Sequence, residues 1–121
     1  MRIIDGLGRS RERATIVVHD SRIVAVDDDR QIPVPRGARE IDVHGMTVLP
    51  GLIDCHVHFS LGGEADVVGT IREDAPALTV LKAAQFARRT LEAGFTTVRD
   101  LGFRDHSIFG LKQAINMGLI P

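Results

Sequence analysis

"GLIDCHVHF", residues 51–59, places two histidines one residue apart on a short apolar run that follows Pro50 directly. On a strand, residues two apart share a face. His56 and His58 therefore present their rings side by side, and Cys55, Val57 and Phe59 turn to the opposite face. Two neutral imidazoles so placed suit two nitrogen ligands of one metal ion, zinc or one of its neighbours. The plainer alternative is a hydrogen-bonded pair without metal, and the spacing alone does not choose between them. The context favours ligands. The run is apolar, enters from a Pro-Gly turn and feeds a glycine-containing loop, "SLGGEAD" (60–66). Polar rings on a buried strand need a compensating partner.

The chain changes character at Pro50. Before it, the segments are short and strand-like. "RIIDG" (2–6) is a brief β run ending in a turn. "ATIVVHD" (14–20) and "SRIVAVDD" (21–28) are β-branched runs meeting at Asp20-Ser21, which predicts a hairpin. "DDDRQIPVPRGA" (27–38) reads as a loop. "REIDV" (39–43) and "MTVLP" (46–50) flank a turn at His44-Gly45 and read as two more strands. Short strands with regular turn signals predict part of a small β-sandwich or barrel in residues 1–50.

After Pro50 the period lengthens. "DAPALTVLKAAQFARRTLEAG" (74–94) predicts a helix, with Asp74 as its cap, Pro76 in its first turn and Gly94 at its stop. Ala77, Leu81, Ala84, Ala87 and Leu91 give its apolar face. Lys82, Arg88 and Arg89 belong to its exposed side. "FTTVRD" (95–100) is a second strand and "HSIFGLKQAINMG" (106–118) a second helix. A strand-helix-strand unit makes a parallel pair, normally by a right-handed crossover. Residues 51–121 thus read as two β/α units.

Composition removes several function classes. The 15 Lys and Arg balance 16 Asp and Glu, without the basic excess of a nucleic-acid footprint. No apolar run approaches the roughly 20 residues of a membrane span, and the N-terminus shows no secretory signal. Cys55 is the single cysteine, so no internal disulfide forms. A cytoplasmic protein is the expectation. With five Phe and neither Trp nor Tyr, the core must be largely aliphatic.

"VLPGLIDCHVHF" (48–59) resembles the first barrel strand of the amidohydrolase superfamily, metal-dependent hydrolases built on a (β/α)8 barrel beside a small β-sandwich. "IDVHGMTVLPGLID" (41–54) resembles the last sandwich strands and the crossing into the barrel. "LEAGFTTVRDLG" (91–102) resembles the end of the first helix and the second strand. The nearest branch is that of imidazolonepropionase-like and Xaa-Pro dipeptidase-like enzymes. The resemblance covers almost the whole chain. It implies an incomplete α/β arrangement: part of the sandwich (1–50), then the first two β/α units of the barrel (51–121). A full barrel takes about 250 residues.

The same resemblance implies that His56 and His58 bind the more buried metal of a site holding one or two divalent ions, with zinc expected. A bridging carboxylated lysine or a glutamate, two more histidines and a catalytic aspartate would come from later strands. It implies hydrolysis of an amide-type C–N bond, in a peptide or a cyclic amide, by a metal-activated water. A small-molecule amide or dipeptide is the implied substrate. His19, His44 and His106 match no ligand position, and no catalytic carboxylate is assigned among these residues. A catalytic zinc site takes three protein ligands and water, so two histidines leave this chain inactive by itself. Association with the rest of a barrel, or oligomerisation, is expected. Two alternatives remain: a subunit of a split enzyme, and a non-catalytic α/β interaction module.

Other residues carry weaker readings. Asp54 shares the histidine face by alternation. It either orients a ring from behind or binds backbone at the strand start. Arg99 and Asp100 end the second strand, on the edge where barrel enzymes keep their sites, and either line the pocket or anchor the loop. Cys55 reads as a small buried hydrophobe. The run Asp27, Asp28, Asp29 has the look of a cation cluster but reads as a solvated turn.

Overall fold

A computed structural model of the chain describes residues 1–28 and 30–121. Asp29, one member of the acidic run, lies outside them. The chain divides into two compact units, Met1–Pro50 and Gly51–Pro121.

The first unit holds β1 (Arg2–Ile4), β2 (Ser10–Arg11), β3 (Ala14–His19), β4 (Arg22–Asp28) and β5 (Thr47–Val48). Strand β1 lies between β2, antiparallel, and β5, parallel. Asp5 closes the β1–β2 turn: one carboxylate oxygen accepts the N–H groups of Leu7 and Arg9, and the other accepts Arg9 Nε at 2.8 Å. Strands β3 and β4 form the antiparallel hairpin, with a register shift at Val17/Val18 and Asp20 at φ 53° in its turn. Asp20 tolerates that left-handed backbone because its short polar side chain bonds locally. Asp27 and Asp28 belong to β4. Asp27 pairs with Arg11 at 3.0 Å and Asp28 accepts the Arg30 N–H, so the two are held in local contacts rather than gathered around a cation.

"REIDV" (39–43) is not a strand. Its alternating pattern has no partner ladder, and Ile41 stays 71% exposed. A β pattern becomes a strand only where a neighbour accepts its backbone bonds. The turn at His44-Gly45 does form, closed by Met46 N–H on Val43 O.

The second unit runs β6 (Leu52–Val57), α1 (Val67–Glu73), α2 (Pro76–Glu92), β7 (Phe95–Asp100), α3 (Ser107–Asn116). Strands β6 and β7 are parallel. Helix α1 follows directly on the glycine-containing loop. Asp66 caps it, accepting the Gly69 N–H at 2.8 Å. Asp74 does not cap α2; Ala75 holds that position, without a side-chain cap. Asp74 ends α1 instead and binds Lys82 Nζ at 2.6 Å, while Arg104 donates to its carbonyl. Lys82 is accordingly half-buried rather than free on an exposed face. Pro76 opens α2, and Gly94, at φ 95°, follows its end.

The core of this unit is Phe59, Ala83 and Leu111, with Val57, Phe86 and Val98 packed against it. The buried face of α2 centres on Thr79 and Ala83; of the expected stripe, Ala84 and Ala87 pack against the core, whereas Ala77, Leu81 and Leu91 are exposed. Small residues let the helix approach the sheet closely, and a sheet of two strands covers only a narrow part of it. Cys55 is likewise exposed, against expectation. It does sit on the helix-facing side of β6 by alternation, but burial on that side begins only at Val57 and Phe59. Ile53, two residues earlier, is 65% exposed.

Candidate metal site at the end of the first parallel strand

The side chains of interest cluster where β6 and β7 end together. His56, in β6, and His58, one residue past its end, turn their rings to one side. His56 Nε2 lies 3.3 Å from His58 Nε2, and the ring centroids are 5.2 Å apart at 72°. Both residues are exposed. His58 Nδ1 lies 2.9 Å from the Gly102 carbonyl oxygen, in the turn after β7. A carbonyl only accepts, so Nδ1 carries the hydrogen and, in the neutral ring, Nε2 keeps its lone pair. Without metal, the contact between the rings is then a bond donated by His56 Nε2–H.

This geometry fits a divalent ion. Two nitrogens at about 2.0–2.1 Å from one tetrahedral centre lie about 3.3–3.4 Å apart, close to the observed 3.3 Å. The outer nitrogen of His58 is engaged by a backbone carbonyl, the arrangement that orients metal-bound imidazoles generally. For His56 to join, its hydrogen must move to Nδ1. Among the described residues, no group of three or more His, Cys, Asp or Glu side chains converges as a metal shell. The pair offers two nitrogens, and a complete metal shell would need further ligands.

Asp54 takes the backbone role. Its carboxylate accepts the His56 N–H at 2.9 Å, fixing the strand below the rings. Arg99 reaches across the sheet, its Nε donating to Cys55 O at 3.0 Å. Asp100 bridges both strand ends: one oxygen accepts the Phe59 N–H at 2.8 Å and the other the Gly102 N–H at 2.9 Å. Arg99 and Asp100 also border an open cavity of about 580 Å³ between β7 and α3, with Phe103, His106 and Lys112 on its walls. The two histidines do not line it. The cavity follows the edge of β7 that has no strand partner among the described residues.

The loop after β6 is held by Glu64, whose carboxylate accepts the Gly62 N–H at 2.7 Å. The N–H groups of Glu64 itself and of Gly62 hold this carboxyl below its ordinary 4.5. His19 is exposed beside Asp20, His44 lies exposed in its turn, and His106 stands at the start of α3. Gly102 had no signal in the sequence: its carbonyl meets a ring 44 residues earlier.

Residues 47–120 match the family described as the amidohydrolase family. Imidazolonepropionase of Klebsiella pneumoniae is 44% identical over 52 residues, covering 43% of this chain and 12% of that protein. Ochratoxinase of Aspergillus niger is 33% identical over 122 residues, covering 98% of this chain and 24% of that protein. A Bifidobacterium longum protein assigned as a prolidase superposes with a TM-score of 0.78 at 28% identity, covering 98% of this chain and 26% of that one. The chain spans about a quarter or less of the length of these relatives. No helix among the described residues is long and apolar enough to cross a membrane.

Proposed function

The chain belongs to the amidohydrolase family, and on that premise we propose that it contributes the first metal anchor of a metal-dependent hydrolase acting on amide-type C–N bonds. His56 and His58 hold a divalent ion, zinc being the expected one. Gly51–Pro121 forms the first two β/α units of a (β/α)8 barrel, and Met1–Pro50 is part of the accompanying β-sandwich. The observation that carries the reading is the pairing of two Nε2 atoms at 3.3 Å, with His58 Nδ1 tied to Gly102 O.

When bound, a divalent cation supplies Lewis-acid chemistry at this edge, polarising a carbonyl and making a water more acidic. The residues present do the holding. His58 offers Nε2 with its lone pair free because Nδ1–H is occupied by Gly102. His56 offers the second nitrogen from the same strand face. Asp54 fixes the His56 backbone, and Asp100 ties the ends of β6 and β7 together. No residue here is assigned as the proton-transferring carboxylate. Other ligands and that group come from further strands, on this polypeptide or on another, so residues 1–121 are inactive alone. The substrate is a small amide, a dipeptide or a cyclic amide.

The test is turnover of a panel of acyl-dipeptides and cyclic amides with added zinc or manganese. The chain alone should show none above background. With the rest of a barrel supplied, turnover should appear, and His56→Ala or His58→Ala should cut it by orders of magnitude. Metal-dependent turnover by the 121 residues alone would overturn the incomplete-site reading. Turnover in the completed protein that is indifferent to both substitutions would overturn the ligand reading.

A further inference from the structure

The turn after β7 holds more bonds to the end of β6 than chain connection requires. Leu101 N–H donates to Val57 O at 3.1 Å. Asp100 takes the Phe59 N–H with one oxygen and the Gly102 N–H with the other. Gly102 then presents its carbonyl to His58 Nδ1. A β-carbon on Gly102 would stand only 3.3 Å from both Nδ1 and Cε1 of His58, so the turn runs flush against the ring. Asp100 and His58 do not bond directly. The carboxylate acts on the ring by fixing the orientation of one peptide unit, whose N–H it binds next door to the carbonyl that binds His58.

We propose that Asp100 is a positioning residue that sets the orientation and tautomer of His58 through the Gly102 carbonyl. A carboxylate is suited to the task because it is acceptor-only at both oxygens and here faces two N–H donors. An asparagine of the same size must turn its NH2 group toward one of them. With the turn held, Nδ1–H is the only neutral tautomer that bonds Gly102, and Nε2 is then left as a lone-pair donor aimed at His56. With the turn released, both neutral tautomers become accessible and the ring loses its anchor. The inference rests on the reading of His56 and His58 as ligands only for its consequence in metal affinity; the tautomer itself is independent of metal.

The experiment uses 15N-histidine-labelled chain and compares Asp100→Ala, Asp100→Asn and, as a matched loss of a cross-strand bond, Arg99→Met. Nitrogen chemical shifts read the His58 tautomer without metal, and a zinc titration reads affinity. Wild type and Arg99→Met should show a protonated Nδ1 and a bare Nε2. Asp100→Ala should show a mixture of tautomers and about 10- to 100-fold weaker zinc binding, with Asp100→Asn between. Asp100→Asn guards against a failure of Asp100→Ala to fold. An unmixed Nδ1–H tautomer in both Asp100 variants would overturn the proposal, as would an equal mixture in Arg99→Met. Zinc that moves neither histidine in wild type would overturn the ligand reading instead, and the metal-free tautomers would still decide the role of Asp100.

Discussion

Gly102→Ala separates the metal site from the fold. A β-carbon there would meet His58 Cε1 and Nδ1 at 3.3 Å. Comfortable carbon contacts lie at about 3.5–4.0 Å, so the ring must retreat by about 0.2–0.7 Å. The bond to Gly102 O, 2.9 Å long, resists that retreat, and the ring pivots, carrying Nε2 away from its place beside His56. Metal–ligand distances tolerate about 0.2 Å, so zinc affinity should fall about tenfold, or about 1.4 kcal/mol. The backbone itself accepts alanine, because Gly102 is not among the positive-φ glycines. Reduced freedom of the unfolded chain favours alanine by about 0.4–1 kcal/mol, which offsets the local strain. Overall stability should therefore change by less than about 1 kcal/mol. The assay is a zinc titration followed at the histidine nitrogens, beside a guanidinium unfolding curve. Unchanged affinity with unmoved His58 signals would refute the reasoning. So would an affinity loss that merely tracks unfolding.

Gly51→Ala should do the reverse: its β-carbon would fall 2.0 Å from Thr96 Oγ1 and 2.7 Å from Thr96 Cβ, a clash that rotating so short a side chain cannot relieve, so unfolding should come about 1–3 kcal/mol sooner; an unshifted curve would contradict the β6–β7 packing. Glu64 makes a pH prediction. Its carboxyl is depressed below 4.5, chiefly by its own N–H and that of Gly62, so the loop's stabilisation is present above that pH and is lost as pH falls through the lowered value. The Gly62 amide should titrate with a midpoint below 4.5 in wild type and stay flat in Glu64→Gln; a midpoint at or above 4.5 would contradict the bond. Finally, the buried apolar residues described are only Ala14, Phe59, Ala83 and Leu111, whereas Ile23, Val24, Ile53 and Leu81 are exposed. Faces of this kind mark interfaces or aggregation, so the isolated chain should elute as an oligomer, and a monodisperse monomer with cooperative unfolding would count against the incomplete-barrel proposal.

Local signals were legible where each residue's own conformational preference decided the outcome. Asp20-Ser21 between two β-branched runs marks the hairpin, Pro76 and Gly94 bracket α2, and the period of two puts His56 and His58 on one face. Signals that depend on a partner were not. "REIDV" carries a strand pattern but finds no ladder. Helix α1 hides among glycines, and its one cue is Asp66 three residues before the Gly69 amide that it caps. The α2 stripe holds at Ala84 and Ala87 and fails at its ends, because burial follows the sheet beneath the helix, which here favours Thr79 and Ala83 over Leu81. Cys55 obeys the alternation, yet its face is uncovered at that height of the strand. The anchor of His58 lies 44 residues away in sequence, and only folding brings β7's turn against the ring.

The central claim is that His56 and His58 together hold a divalent ion. Its most direct measurement is a zinc titration of 15N-histidine-labelled chain, with metal content determined after dialysis. The account predicts weak, reversible uptake, in which the Nε2 signals of His56 and His58 move first, His19, His44 and His106 lag, and the His56→Ala, His58→Ala double variant abolishes the effect. Stoichiometric zinc retained through dialysis and unaffected by that double substitution would contradict it.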